Sequence, residues 1–158
     1  MKKIISVLLM SVIITVGMAQ KTVNTQQPKH NTSGKIVKLV ETLDVYPEDL
    51  GYLTCQEAQQ ICDKINAQKM HGYNDWRLPS QDELSMIYRN KDKINGLVEG
   101  YYLSIEQGIN EYGKTLGYAV FDMTLGNRQW RRADGQFDNY MPVDEKANIR
   151  LVRNDIRH

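Results

Sequence analysis

Cysteine and histidine are scarce in this 158-residue chain: two cysteines, Cys55 and Cys62, and three histidines, His30, His71 and His158. Two cysteines cannot staple a disulfide-dense scaffold. Histidines this far apart, with no ligand spacing around either cysteine, leave no recognisable metal motif, so no metal or cofactor is expected. Charge of one sign is lacking as well. The 20 Lys+Arg nearly balance 19 Asp+Glu for a formal net charge of +1, whereas general nucleic-acid binding calls for a strongly basic domain. There is no phosphate loop, zinc-binding helix or nucleophile elbow, and no histidine placed beside a serine or cysteine in an ordered element. The chain is therefore expected to be non-enzymatic.

The longest apolar stretch lies in residues Met1 to Ala19, where Lys2 and Lys3 precede a run from Ile4 to Met18. That run falls short of the roughly 20 residues of a membrane span. With Gly17-Met18-Ala19 as a small-residue cleavage site, it reads as a secretory signal peptide. No cysteine follows it, so no lipid anchor is expected at the new N-terminus, and no membrane span in the mature chain. Losing Lys2 and Lys3 takes the formal charge from +1 to −1. Residues 20–33 are polar, without apolar periodicity, and read as a linker. The remainder, 34–158, is one domain by length. The expected location is the periplasm or the cell surface.

The junction Asp75-Trp76-Arg77-Leu78-Pro79-Ser80-Gln81-Asp82-Glu83-Leu84 is the most informative segment. Pro79 biases Leu78 toward extended backbone. Ser80 and Glu83 have capping-box spacing, and Leu84, Ile87 and Tyr88 recur at the spacing of one buried helix face. Trp76 offers a large apolar anchor on the other side of the turn, and Arg77 reads as a structural donor to carbonyls or a carboxylate. A second capping box, Thr54 with Glu57, starts a helix whose apolar face is Ala58, Ile61, Cys62 and Ile65. Seven residues of helix rise about 10.5 Å, beyond the roughly 7 Å that a disulfide spans between Cα atoms. Cys55 and Cys62 are thus expected to be free and buried.

Two helices close together in sequence, followed by strands, argue for an α+β architecture. A first strand is expected over Ile36–Val40. In the C-terminal third, Gly126-Asn127 and Asp134-Gly135 are hairpin signals that divide Tyr118 to Leu125, Arg128 to Ala133 and Gln136 to Met141 into a three-stranded meander. In those registers Met123 faces Trp130, and Asp122, Arg131 and Asp138 fall side by side. The segment from Gly100 to Gly117, with Tyr101, Tyr102, Glu106, Asn110, Glu111 and Tyr112, shows no clear periodicity and reads as a long connection of the kind that carries function. Glu106 and Glu111 are more simply solvated carboxylates than cation ligands.

Several of these segments carry a resemblance. Tyr73-Asn74-Asp75-Trp76-Arg77-Leu78-Pro79-Ser80, then Asp82-Glu83-Leu84, looks like the signature of a family of bacterial secreted domains typified by the C-terminal domain of the Legionella collagen-like adhesin. Thr54-Cys55-Gln56-Glu57-Ala58 with Cys62 resembles that family's first helix, although Cys55 stands where Trp is usual. Tyr102-Leu103-Ser104-Ile105-Glu106 sits where the family has a run of three hydroxyl residues between Trp and Glu, two of which Leu103 and Ile105 replace. Ile149-Arg150-Leu151-Val152-Arg153 is similar to its closing motif. The resemblance implies a C-type-lectin-like fold, with two helices packed on a small antiparallel sheet, and a role in adhesion or ligand binding. It also implies a binding site in the long loop region. The calcium-dependent sugar motifs of true C-type lectins are absent. Formylglycine-generating enzymes are similar to this fold class and use cysteines, but in a late loop and not on an early helix.

The expected function is an exported binding module for a glycan or a surface protein; the alternative is a structural or assembly component of the cell envelope. The one basic-aromatic cluster, Arg128, Trp130 and Arg132, is the candidate contact surface for an anionic glycan or cell-envelope protein, joined by Tyr102, Glu106 and Tyr112 from the long connection. The competing reading packs Trp130 in the core with arginine stems over it.

Overall fold

The computed structural model describes residues 34–40, 42–132 and 134–155. The signal-peptide and linker expectations, residues 1–19 and 20–33, lie outside the described residues. The fold is α+β. Strands β1 (Val37–Val40), β2 (Leu43–Val45) and β10 (Val152–Asn154) form a three-stranded antiparallel sheet in the order β1-β2-β10. The larger sheet contains β3 (Tyr52–Leu53), β4 (Tyr101–Ile109), β5 (Thr115–Asp122), β8 (Met141–Pro142) and β9 (Ala147–Asn148), ordered β3-β9-β4-β5-β8. It is antiparallel apart from a single parallel pairing of Tyr102 with Asn148.

Both helices begin where the capping boxes place them. Helix α1 (Cys55–Ala67) has Thr54 as its N-cap and α2 (Gln81–Arg89) has Ser80, each with the reciprocal glutamate bond in place. The two helices cover opposite faces of the large sheet. Neighbouring strand residues point to opposite sides. On β4, Leu103 joins the cluster of Cys55, Ala58, Cys62, Ile65, Trp76 and Leu78, while Tyr102 joins that of Leu84, Ile87, Leu43 and Val45.

Trp76 is only 2% exposed, and Arg77 makes the structural contacts expected of it: Nη1 and Nη2 donate to the two Glu83 oxygens at 2.8 and 2.7 Å, and Nη2 also to Asn154 Oδ1 at 2.8 Å. The closing motif supplies two further structural arginines. Arg153 donates to Asp75 and Asp44 at 2.8 and 2.7 Å and stacks 3.7 Å over Tyr73.

Cys55 and Cys62 are both buried and free, about two turns apart on α1. Burial, reinforced by Asp63, pushes the Cys62 thiol up to about 11, and burial likewise raises Cys55. Thiol titration of the denatured, unreduced protein should therefore count both. In the native protein at about pH 8 reaction should be slow, because the thiolate is the reactive form. A count of zero in the denatured, unreduced protein would reveal a bridge and refute the helix geometry.

Three expectations about the strands are corrected. First, Gly100 to Gly117 is not a long connection: β4 and β5 occupy most of it as a hairpin turning over residues 110–114. Tyr102, Leu103 and Ser104 are consecutively buried because helices lie on both faces, which erases the alternation that marks a half-buried strand. Second, the meander does not form. Strand β5 ends at Asp122, which bridges Asn127 across a four-residue turn. The buried Asp122 carboxylate accepts the backbone N–H groups of Thr124 and Leu125 at 2.8 and 3.2 Å. Gly126 sits in this turn at φ +73°, and a Cβ there would lie 2.5 Å from the Tyr88 ring. Its glycine signal thus answers to a close approach and not to a two-residue hairpin.

Third, the second hairpin is real but slipped. β6 (Trp130–Arg131) and β7 (Phe137–Asp138) pair Trp130 with Asp138 and Arg131 with Phe137. A one-residue change of register exchanges the faces of every side chain, so Asp122, Arg131 and Asp138 do not line up. The Asp138 carboxylate instead accepts the Asn139 N–H at 2.7 Å. Strand β8 pairs with β5, not β7. Its approach depends on Gly108, where a Cβ would fall 2.6 Å from the Tyr140 ring.

Candidate functional site

The residues singled out from sequence do not gather into one site. Tyr102 is fully buried; its hydroxyl donates to Asp49 and accepts the Val98 N–H at 3.0 Å, and burial with that carboxylate raises its ionisation well above the ordinary tyrosine range. It is a core residue and cannot meet a ligand. Tyr112 stands at the hairpin turn, 85% exposed. Glu106 caps α2 from outside, both carboxylate oxygens lying 3.0 Å from the Gln81 N–H, with the Ser104 hydroxyl donating to it.

Arg128, Trp130 and Arg132 do not share one strand face, since only Trp130 and Arg131 are in β6. Arg128 is exposed but its guanidinium is paired with Asp82, and its carbonyl accepts the Gln81 side chain at 3.4 Å. Arg132 pairs with Asp134 at 3.3 Å. Trp130 is half-buried against the α1 side of the core. This combines the two readings: the ring packs inward, and the arginines are neutralised by nearby carboxylates. Gln81 thus brings Glu106 and Arg128 together at the first turn of α2, and Tyr102 and Tyr112 lie outside that group.

A different surface forms an open concavity. It is a groove of about 750 Å³ between the N-terminal turn of α1 and the outer half of the β4–β5 hairpin. One wall is Thr54, Cys55, Gln56 and Gln59, and the other is Ile105, Gln107 and Tyr118, with Leu78 between them and Val143 and Asp144 at one end. The capping box fixes the first wall. Thr54 N–H and hydroxyl both go to Glu57, and its Oγ1 accepts the Glu57 N–H, which leaves the side chains of Gln56 and Gln59 on the open side. Register fixes the second: Gln107 faces Tyr118, and Tyr118 faces the buried Met141. The Tyr118 hydroxyl lies against the Cys55 thiol at the base. Ile105 and Val143, each 48% exposed, present apolar surface at the cleft.

None of the groove's polar residues was named from sequence as a ligand contact. The one available signal was Ile105, an apolar residue where the resembled family carries a hydroxyl. The groove draws on five separated segments, and no local pattern encodes such a junction. Among the described residues, no three of His, Cys, Asp and Glu come together as a metal site, and no helix is long and apolar enough to cross a membrane.

The chain matches the family model described as the Lcl C-terminal domain over residues 20–153. No curated protein matches it.

Proposed function

Because this chain belongs to the Lcl C-terminal domain family, we propose that it is an exported, non-catalytic binding module of C-type-lectin-like type whose contact surface is the groove between α1 and the β4–β5 hairpin. The observation that carries this reading is the groove itself. Its volume of about 750 Å³ falls within the range of small-ligand sites, and a mainly apolar wall with a few polar groups is their usual make-up. The Arg128 and Arg132 ridge is the weaker surface, because each guanidinium already has a carboxylate partner and an anionic glycan would have to displace it.

The test is a substitution that blocks the groove without touching the core. Ile105→Lys should leave unfolding free energy within about 0.5 kcal/mol of the parent, as surface changes do, and should abolish retention of the protein on a glycan array. Retention unchanged by the substitution would move the contact surface elsewhere.

A second reading rests on a separate observation. Ile109, Leu116 and Tyr112 at the far end of the hairpin are 60%, 57% and 85% exposed, and contiguous exposed apolar surface marks protein contacts. An assembly component would use this end, and its mark would be concentration-dependent association with no retention on the array.

A further inference from the structure

The chemistry of the groove is specific enough to name a ligand class, and this step rests on the binding-module reading above. We propose that the groove binds an uncharged oligosaccharide.

The hydrogen-bonding groups left open include the Gln56 and Gln107 amides, the Gln59 amide beyond its one bond to Asp63, and the Asp144 carboxylate. The Gln56 side chain and the Asp144 carboxylate have no partner among the described residues. Gln107 Oε1 accepts the Thr115 hydroxyl at 3.2 Å, which leaves its NH2 free. An amide presents both donors and acceptors and a carboxylate accepts from two hydroxyls, so together they match vicinal sugar hydroxyls. Tyr118, Ile105 and Val143 supply the surface on which the C–H face of a pyranose can lie.

Three other occupants fit less well. A sulfated or carboxylated ligand needs a cation, yet among the described residues no lysine or arginine lines the groove, and Lys146, two residues after Asp144, is paired with Glu57 at 3.4 Å. Asp144 would repel such a ligand. An extended peptide would need a free strand edge. Here the Ile105 N–H already donates to the Pro79 carbonyl at 2.9 Å, and the outer edge of β5 is paired with β8. A lipid chain would need a closed apolar tunnel, and this groove is open and rimmed by amides.

The experiment titrates the full chain, by calorimetry and by backbone amide shifts, with unsulfated hexasaccharides of glucose, mannose and N-acetylglucosamine, and with sulfated counterparts. At least one neutral hexasaccharide should bind saturably and shift amides of residues 54–59, 105–107 and 143–144. Its Kd should change less than about twofold between roughly 50 and 500 mM salt, since no charge attraction is being screened. Gln56→Ala with Gln107→Ala should weaken it about thirty-fold, the combined effect of two uncharged hydrogen bonds. Asp144→Asn should weaken it too, whereas it would strengthen binding of a sulfated ligand. Binding of sulfated hexasaccharides alone, or neutral binding that the double variant leaves unchanged, overturns the inference while the Ile105→Lys result still decides the binding-module reading. Failure of every saccharide to shift groove amides overturns it as well, and with Ile105→Lys indistinguishable from the parent on the array it overturns both.

Discussion

Replacing Trp76 with alanine is expected to remove about 3–5 kcal/mol of folding free energy, the range for emptying a large aromatic core site. The position justifies the upper part of that range. The indole is 2% exposed and meets Tyr46 and Tyr73 edge-on at centroid distances of 5.0 and 6.1 Å. Its Nε1–H donates to the Met70 carbonyl at 3.2 Å, so truncation also removes a part-buried hydrogen bond. The surrounding frame is fixed and cannot collapse easily into the space. The Trp76 backbone is held from both sides by the Asn66 side chain, at 2.9 and 2.8 Å, and the Cys62 thiol donates to the same carbonyl. Urea unfolding followed by circular dichroism measures the change; a loss below about 1 kcal/mol would mean that the site relaxes or that the ring is not a core anchor.

Arg150→Met should cost a comparable amount, about 3–5 kcal/mol, for an electrostatic reason. Arg150 is completely buried, and its guanidinium ties together two loops that have no regular structure of their own. Nη1 donates to the carbonyls of Tyr46 and Pro47 at 3.1 and 2.9 Å, and Nη2 to that of Asn95 at 3.2 Å. Asp49 lies 3.9 Å from Nη2 and balances the charge. Burial pushes the guanidinium's ionisation down and Asp49 opposes that shift. Methionine keeps the stem volume but leaves three carbonyls without a donor and the Asp49 carboxylate without its counter-ion, and stranded buried groups cost more than a bond contributes. Arg150→Lys restores the charge without the two-nitrogen fork and should recover only part of the loss. An unfolding midpoint for Arg150→Met equal to that of the parent, at equal denaturant slope, would show that water replaces the guanidinium and that the site is not dry.

What sequence made legible has a common character. Thr54 with Glu57, and Ser80 with Glu83, are bonds between residues three apart, so the helix starts follow from local chemistry whatever the rest of the chain does. The free state of Cys55 and Cys62 follows from helix rise alone. The pairing of Arg77 with Glu83 across six residues belongs to the same short-range class, and Trp76 was legible as a large apolar ring beside the turn.

The C-terminal third failed where its outcome depends on distant partners. Strand β4 was hidden because α1 and α2 sandwich it, and the meander was displaced because Gly126 answers to Tyr88 and Gly108 to Tyr140. The arginines of the closing motif are unreadable from their neighbours: Arg150 meets carbonyls 104 and 103 positions earlier in the chain, and Arg153 meets Asp44 at a separation of 109. The clearest case is the groove, which exists only where α1, β4, β5 and the segment after β8 converge. By itself, then, the sequence determined the helix frame, the α+β class and the Trp76 anchor, because capping, rise and apolar spacing act over a few residues. Tertiary structure alone decided the strand pairing, the neutralisation of Arg128 and the position of the open groove, because each is set by contacts between segments that the chain brings together only on folding.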